Sequence, residues 1–134
     1  MRILKQLASP NYDGNIHFTI EEMTPDRVVG KMAVQSGILN PFGTVHAGAM
    51  IWFADVAATI CAIGEPESVD NDGRGFPLAI DLHTVLISNQ EDGILTATAT
   101  PVRRGKKIVI VRTEVTGKND RTLIEMTSTH LRAQ

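Results

Sequence analysis

A single cysteine in 134 residues has no partner for an intrachain disulfide, so Cys61 reads as a small core residue of a protein in a reducing compartment, the cytoplasm. A surplus of one charge sign is missing too. Thirteen basic against fifteen acidic side chains give a formal charge of −2, which offers no field to draw nucleic acid or an anionic membrane surface. The opening MRILKQLASP has too few apolar residues before Pro10 for the hydrophobic stretch of a signal peptide. No repeat, low-complexity tract or linker divides the chain, and 43% hydrophobic content can fill one core, so residues 1–134 are expected to form one domain. His17, His46, His83 and His130 show no metal-ligand spacing, and no phosphate loop or nucleophile elbow occurs, so neither metal nor redox cofactor is expected. The run nearest to membrane length, residues 47–64, is diluted by Ala, Gly and Thr and carries Asp55 at its centre, which argues against a span.

What is present is mostly alternation of period two. Residues 15–35 read as two strands broken at Thr24-Pro25, with Ile16, Phe18 and Ile20 in the first and Val28 or Val29, Met32 and Val34 in the second. After the loop GILNPFGT a helix is predicted over Ala47–Ile63, stopped by Gly64 and Pro66. Four strands follow, PLAIDLHTVLI, ILTATATPVRR, KIVIVRTEVTG and TLIEMTSTHLRA, parted by turn signals at Glu91-Asp92-Gly93, Arg104-Gly105 and Lys118-Asn119-Asp120. Their short connections predict neighbouring antiparallel strands. The class is α+β, an antiparallel sheet against one long central helix. A helix apolar all round must be covered all round, one sheet covers one side, and no other helix is long enough for the rest. A second subunit is the expected cover, making a homodimer the smallest unit and leaving a tetramer open.

Asp55 is the only charge in HAGAMIWFADVAATICAIG. An unpaired carboxylate is expensive to bury, so it is either exposed or has a task. His46 and Asp55 are nine residues apart, about two and a half helical turns, which sets them on opposite faces and roughly 13 Å apart along the axis. One chain cannot bring them together, whereas two antiparallel helices across a two-fold axis can.

The strand-rich start, NPFGTVHAGAMIWFADVAAT, and the strand meander that follows resemble the hotdog-fold acyl-CoA thioesterases, in particular the phenylacetate-degradation type with its Asn…His-Gly-Gly…Asp pattern. Asn40, Gly43, His46, Gly48, Asp55 and Thr59 stand at that family's relative spacings, and the likeness covers residues 14–132. Two positions depart from it. Ala47 stands where the family usually has glycine, and Ala79 stands where some relatives carry serine or threonine. The resemblance implies a sheet wrapped around the helix, an active site shared between subunits, and hydrolysis of an acyl-CoA or related thioester. Coenzyme A is then part of the substrate.

Such hydrolysis needs a group to polarise the carbonyl and a group to supply or become the attacking oxygen. Backbone N–H groups near Ala47 and Gly48, at the positive end of the helix, are candidates for the first. Asp55 is the candidate for the second, as nucleophile forming a mixed anhydride or as general base on water, its basicity raised by apolar surroundings. Thr59, one turn on, orients water or carboxylate, or is a core threonine bonded back along the helix. Asn40 bonds water or thioester, or starts an Asn-Pro turn. His46 is expected to fix the loop-helix junction by hydrogen bonds. In RRGKK, Arg103, Arg104, Lys106 and Lys107 either meet the phosphates of coenzyme A or form a solvated hairpin tip. Met50, Trp52 and Phe53 read as core. Two other functions compete: a non-catalytic acyl-CoA-binding module, suggested by Ala47, and a hotdog dehydratase or hydratase, whose proline-rich histidine motif is lacking in HAGA.

Overall fold

Thr24 ends the first strand as the sequence predicts. Its hydroxyl donates to the Arg27 carbonyl at 3.1 Å and accepts the Arg27 N–H at 3.0 Å, closing a turn between β1 (Thr19–Thr24) and β2 (Arg27–Ala33). A computed structural model describes residues 14–133, so the reading of MRILKQLASP lies outside the described residues. The helix α1 spans Ala47–Ile63, the predicted bounds. Ala49, Met50, Phe53, Ala54, Ala57, Ala58, Cys61 and Ala62 form its buried stripe at spacings of three and four. Five of these are alanines, whose small side chains let the helix lie close against the strands. The other strands are β3 (Pro77–Leu86), β4 (Ile94–Arg104), β5 (Ile108–Thr116) and β6 (Thr122–Arg132).

All pairings are antiparallel and the sheet order is β1-β2-β4-β5-β6-β3. This corrects one expectation, since β3 does not neighbour β4. The edges of β4 are taken by β2 and β5, with the Val34 N–H bonded to the Gly93 carbonyl at 2.9 Å where β2 meets the start of β4. Residues 87–93 carry the chain across three strand spacings, roughly 14 Å, which a seven-residue segment covers easily. A short connection therefore did not require adjacency.

The inner face of the sheet packs Val28, Met32, Leu95, Val111, Ile124 and Met126 against α1. Met50 and Phe53 belong to this core, as expected, but Trp52 does not: it is 45% exposed, its ring set edge-on to Phe18 at 4.8 Å. Cys61 is fully buried. β3 is the contrary case, an edge strand with Leu78, Ile80, Leu82, Val85 and Leu86 all exposed and a bulge between Ala79 and Asp81. Among the described residues, no helix is long and apolar enough to cross a membrane.

Candidate active site

The helix start is open. His46 occupies the N-cap with φ −58° and ψ 134°, and its side chain makes no capping hydrogen bond. This corrects the expectation that His46 ties the junction. Backbone and Asn89 do so instead: the His46 N–H bonds the Ile38 carbonyl at 2.8 Å, while Asn89 brackets Val45, accepting its N–H at 3.1 Å and donating to its carbonyl at 2.7 Å. The N–H groups of Ala49 and Met50 reach the His46 carbonyl, whereas those of Ala47 and Gly48 precede the first intrahelical bond. Nothing lies within 4 Å of where a Cβ on Gly48 would stand. Ala47 and Met50 face a hollow of about 260 Å³ completed by Leu86, Ile87, Ser88 and Asn89 beyond the end of β3.

Asn40 organises the turn that precedes the helix. Its Oδ1 accepts the N–H groups of Phe42 at 2.9 Å and Thr44 at 3.1 Å, and its Nδ2 donates to the Thr44 hydroxyl at 2.7 Å. The turn-forming role of Asn-Pro is thus realised, with Gly43 at φ 83° completing the bend, and one Nδ2 hydrogen remains for a ligand.

Asp55 lies at the other end of β3. It is half-buried and shares a cavity of about 420 Å³ with Val56, Thr59, Ile60, Ile63, Phe76, Pro77, Leu78 and Ala79. Thr59 is beside it on one helix face, as one turn of spacing predicts, and Ala79 lines the same wall. The Oδ1 of Asp55 is shielded from solvent and has no hydrogen-bond partner among the described residues. Leaving such an oxygen unsatisfied costs about 1–3 kcal/mol or more, so the arrangement does not serve stability. Next to this cavity, in register with Ala79, sits the fully buried His130, whose Nε2 is 2.8 Å from Ser128 Oγ. Burial lowers the His130 pKa below the ordinary histidine value, opposed by the Asp55 charge and the Pro77 carbonyl. Sequence reasoning missed both residues. Their signal was phase: Ser128 and His130 share the parity of Ile124 and Met126 in TLIEMTSTHLRA, which put polar groups at inward positions. Asn89 carried no comparable signal.

Ala47 and Asp55 of one chain therefore face different hollows, as the nine-residue argument from His46 requires. The four cations also separate. All four are exposed at the β4–β5 turn, but the guanidinium of Arg104 reaches back to the end of the helix. Its guanidinium donates to the carbonyls of Cys61 at 3.0 Å, Ala62 at 3.1 Å and Pro25 at 2.7 Å, and it passes where a side chain on Gly64, at φ 72°, would stand. Three of its five N–H groups are held by these carbonyls, which gives it an anchoring role at the helix end. Burial raises the Cys61 thiol pKa, and the same guanidinium works against it.

The profile of a family described as a domain of unknown function, DUF4442, matches residues 2–130. The chain belongs to the DUF4442 family. It is 26% identical over 108 residues to the 1,4-dihydroxy-2-naphthoyl-CoA hydrolase of Listeria monocytogenes, covering 81% of this chain and 84% of that protein. A thioesterase of Staphylococcus aureus, crystallised as a glutamine-to-alanine variant, superposes with a TM-score of 0.78 at 24% identity, over 87% of this chain and 93% of that one. A hypothetical thioesterase of Streptococcus pneumoniae, crystallised with coenzyme A, gives 0.75 at 19% identity over 88% of each. The fold is that of the hotdog thioesterases, as the resemblance in the sequence implied.

Proposed function

We propose that this DUF4442 protein is a homo-oligomeric thioesterase that cleaves an acyl-CoA or related thioester to free acid and thiol, and that it needs no metal or redox cofactor. The observation that carries the reading is Asp55, a carboxylate with one shielded oxygen, unpartnered among the described residues, in a cavity whose other side chains, Thr59 apart, are apolar. The names of the Listeria and Staphylococcus relatives support the reaction, and the coenzyme A held by the Streptococcus relative supports the substrate class.

In this reading Asp55 activates a water, or attacks the carbonyl itself, while the Ala47 and Gly48 amides hold the developing oxyanion. Thr59 orients the oxygen that Asp55 acts on, and Asn40 holds the loop that leads to the helix start. His46 acts through its backbone as the cap position. Arg103, Lys106 and Lys107 remain for the phosphates of coenzyme A. A second apolar hollow of about 330 Å³, lined by Met23, Pro25, Pro66 and Val69, adjoins the Asp55 cavity across Ile60 and Ile63 and gives an acyl group room to extend.

The two halves of the site meet through a second copy. Both hollows flank β3, one at its Pro77 end and one beyond its Leu86 end, and β3 is a ten-residue edge strand roughly 33 Å long with exposed apolar side chains. Antiparallel pairing of two such edges about a two-fold axis sets the Leu86 end of one beside the Pro77 end of the other. The amides of one subunit then face Asp55 of its partner.

Free thiol released from a panel of acyl-CoA thioesters is the test. The wild type should hydrolyse at least one, and a folded Asp55→Asn protein should lose at least about two orders of magnitude in kcat. Activity near wild type in that variant would remove Asp55 from the mechanism. No thiol release by the wild type would leave the binding-module and dehydratase readings.

A further inference from the structure

Two buried polar atoms without partners among the described residues lie where α1 meets β6 and β3: Asp55 Oδ1 and His130 Nδ1. One is an obligate acceptor when ionised, and the other can carry a hydrogen. His130 is opposite Ala79, which lines the Asp55 cavity, and the Asp55 charge acts on the imidazole. Among the described residues, the groups around the ring leave no other ionic partner. Val109 and Val111 face it from β5, Pro77 and Ala79 from β3, and Ser128 from β6 itself, while the Arg132 guanidinium is turned to the Ala62 carbonyl at 3.3 Å. The Pro77 carbonyl favours the protonated ring but does not satisfy hydrogen-bond geometry with Nδ1.

The tautomer follows from Ser128. Its hydroxyl is 2.8 Å from Nε2 and 3.5 Å from the Val111 carbonyl, so the short contact is the natural place for its hydrogen. Nε2 then accepts, and the ring hydrogen resides on Nδ1. The opposite tautomer would turn the Nδ1 lone pair toward a carboxylate, and the Ser128 hydroxyl, accepting from Nε2–H, would have only the 3.5 Å Val111 carbonyl for its own hydrogen. We infer that His130 is a positioning residue for Asp55: its Nδ1–H, fixed by the Ser128 hydroxyl, holds Asp55 Oδ1 through one bridging water and leaves Oδ2 for the reaction. This rests on the thioesterase reading for its catalytic consequence but not for the contact itself. Protonation of the ring at Nε2 at acid pH would reverse the Ser128 bond, the hydroxyl then accepting, and place a cation against the carboxylate, weakening it as a base. Activity should therefore have an acid limb set by His130.

Ring-nitrogen NMR of the 15N-labelled full chain tests the contact. The wild type near pH 7.5 should carry hydrogen on Nδ1, Ser128→Ala should shift the balance toward Nε2, and Asp55→Asn should lower the pH at which His130 titrates. An Nε2–H ring in the wild type, or a titration that ignores Asp55→Asn, overturns the proposal. Kinetics test the consequence. His130→Asn, whose amide can donate from the position of Nδ1, should keep kcat within about three-fold and lose the acid limb. His130→Leu should lower kcat about ten- to a hundred-fold with KM little changed, the worth of one hydrogen bond to a charge. A folded His130→Leu protein with wild-type kcat and pH profile refutes the role. Should the wild type hydrolyse no thioester, the proposed activity fails while the NMR still decides the contact; should His130→Leu not fold, the Ser128→Ala and Asp55→Asn spectra decide it.

Discussion

The two ends of α1 are finished in opposite ways. At its C-terminus Arg104 bonds the carbonyls of Cys61 and Ala62, Arg132 adds a second donor to Ala62, the Ser68 hydroxyl takes the Ile63 carbonyl at 2.9 Å, and Gly64 turns the chain away. At its N-terminus no side chain caps the helix, and His46 stands where serine, threonine, aspartate or asparagine would contribute about 1 kcal/mol. The chain thus saturates the negative end of the helix with cations and leaves the positive end to something else. An anionic group arriving at the N-terminus, such as a thioester oxygen gaining charge, is the occupant that this difference favours.

Removing the open donor should have the largest effect. Ala47 is the first helical residue, where proline is tolerated because its missing N–H has no partner in the helix, and His46 already holds the extended backbone that precedes a proline. Ala47→Pro should fold with wild-type thermal stability and lose about a hundred- to a thousand-fold in kcat, the usual cost of one oxyanion donor. Refolded together with Asp55→Asn, it should recover about a quarter of the wild-type sites. Half of the dimers are then mixed, and each mixed dimer holds one undamaged site. Mixed dimers without recovered hydrolysis would overturn the shared site.

Closing chemistry at the other end should register in stability instead. Arg104→Ala removes three charge-assisted bonds to carbonyls and should cost about 2 kcal/mol in denaturant unfolding, with KM for an acyl-CoA unchanged. Lys106→Ala and Lys107→Ala should do the reverse. A rise in KM for Arg104→Ala without loss of stability would return Arg104 to the phosphate.

Period and punctuation made most of this fold legible in the sequence. The helix bounds, all six strands and the dearth of covering layers followed from alternation, Gly64 and the proline positions. The place of β3 did not, because loop length limits reach without fixing which edge a strand takes. In the site, Asp55 and Thr59 were legible as one helix face, and the separation of Asp55 from the helix start was legible from their spacing. RRGKK shows charge and hides direction: alternate residues of a strand point to opposite faces, and of the two adjacent arginines Arg104, though exposed, reaches the helix end. His46 and Asn89 exchanged roles for a similar reason, since a hydrogen bond across 44 residues leaves no local trace.

Installing the missing cap should sharpen the contrast at a smaller scale. His46→Ser offers an oxygen to the amides of the first helical turn, so it should raise stability by about 1 kcal/mol while lowering kcat about ten-fold, because the new acceptor competes with substrate for the same donors. A gain in stability with unchanged kcat would mean that these amides are not used in the reaction.

The finest test concerns the methyl group of Ala47. Ala47→Gly keeps the N–H and removes only the side chain that narrows the approach to it, so hydrolysis should hold steady or rise by about two- to five-fold, while stability falls by no more than about 1 kcal/mol. Because backbone position, charge and donor count are unchanged, the ratio of kcat/KM between the two proteins reads the crowding alone. The hollow beside Ala47 and Met50 already measures about 260 Å³, so the gain should be greatest for bulky acyl groups and vanish for acetyl. A uniform large loss across acyl groups, at unchanged stability, would mean that the methyl positions the substrate, and that the carbonyl approaches the helix start from another side.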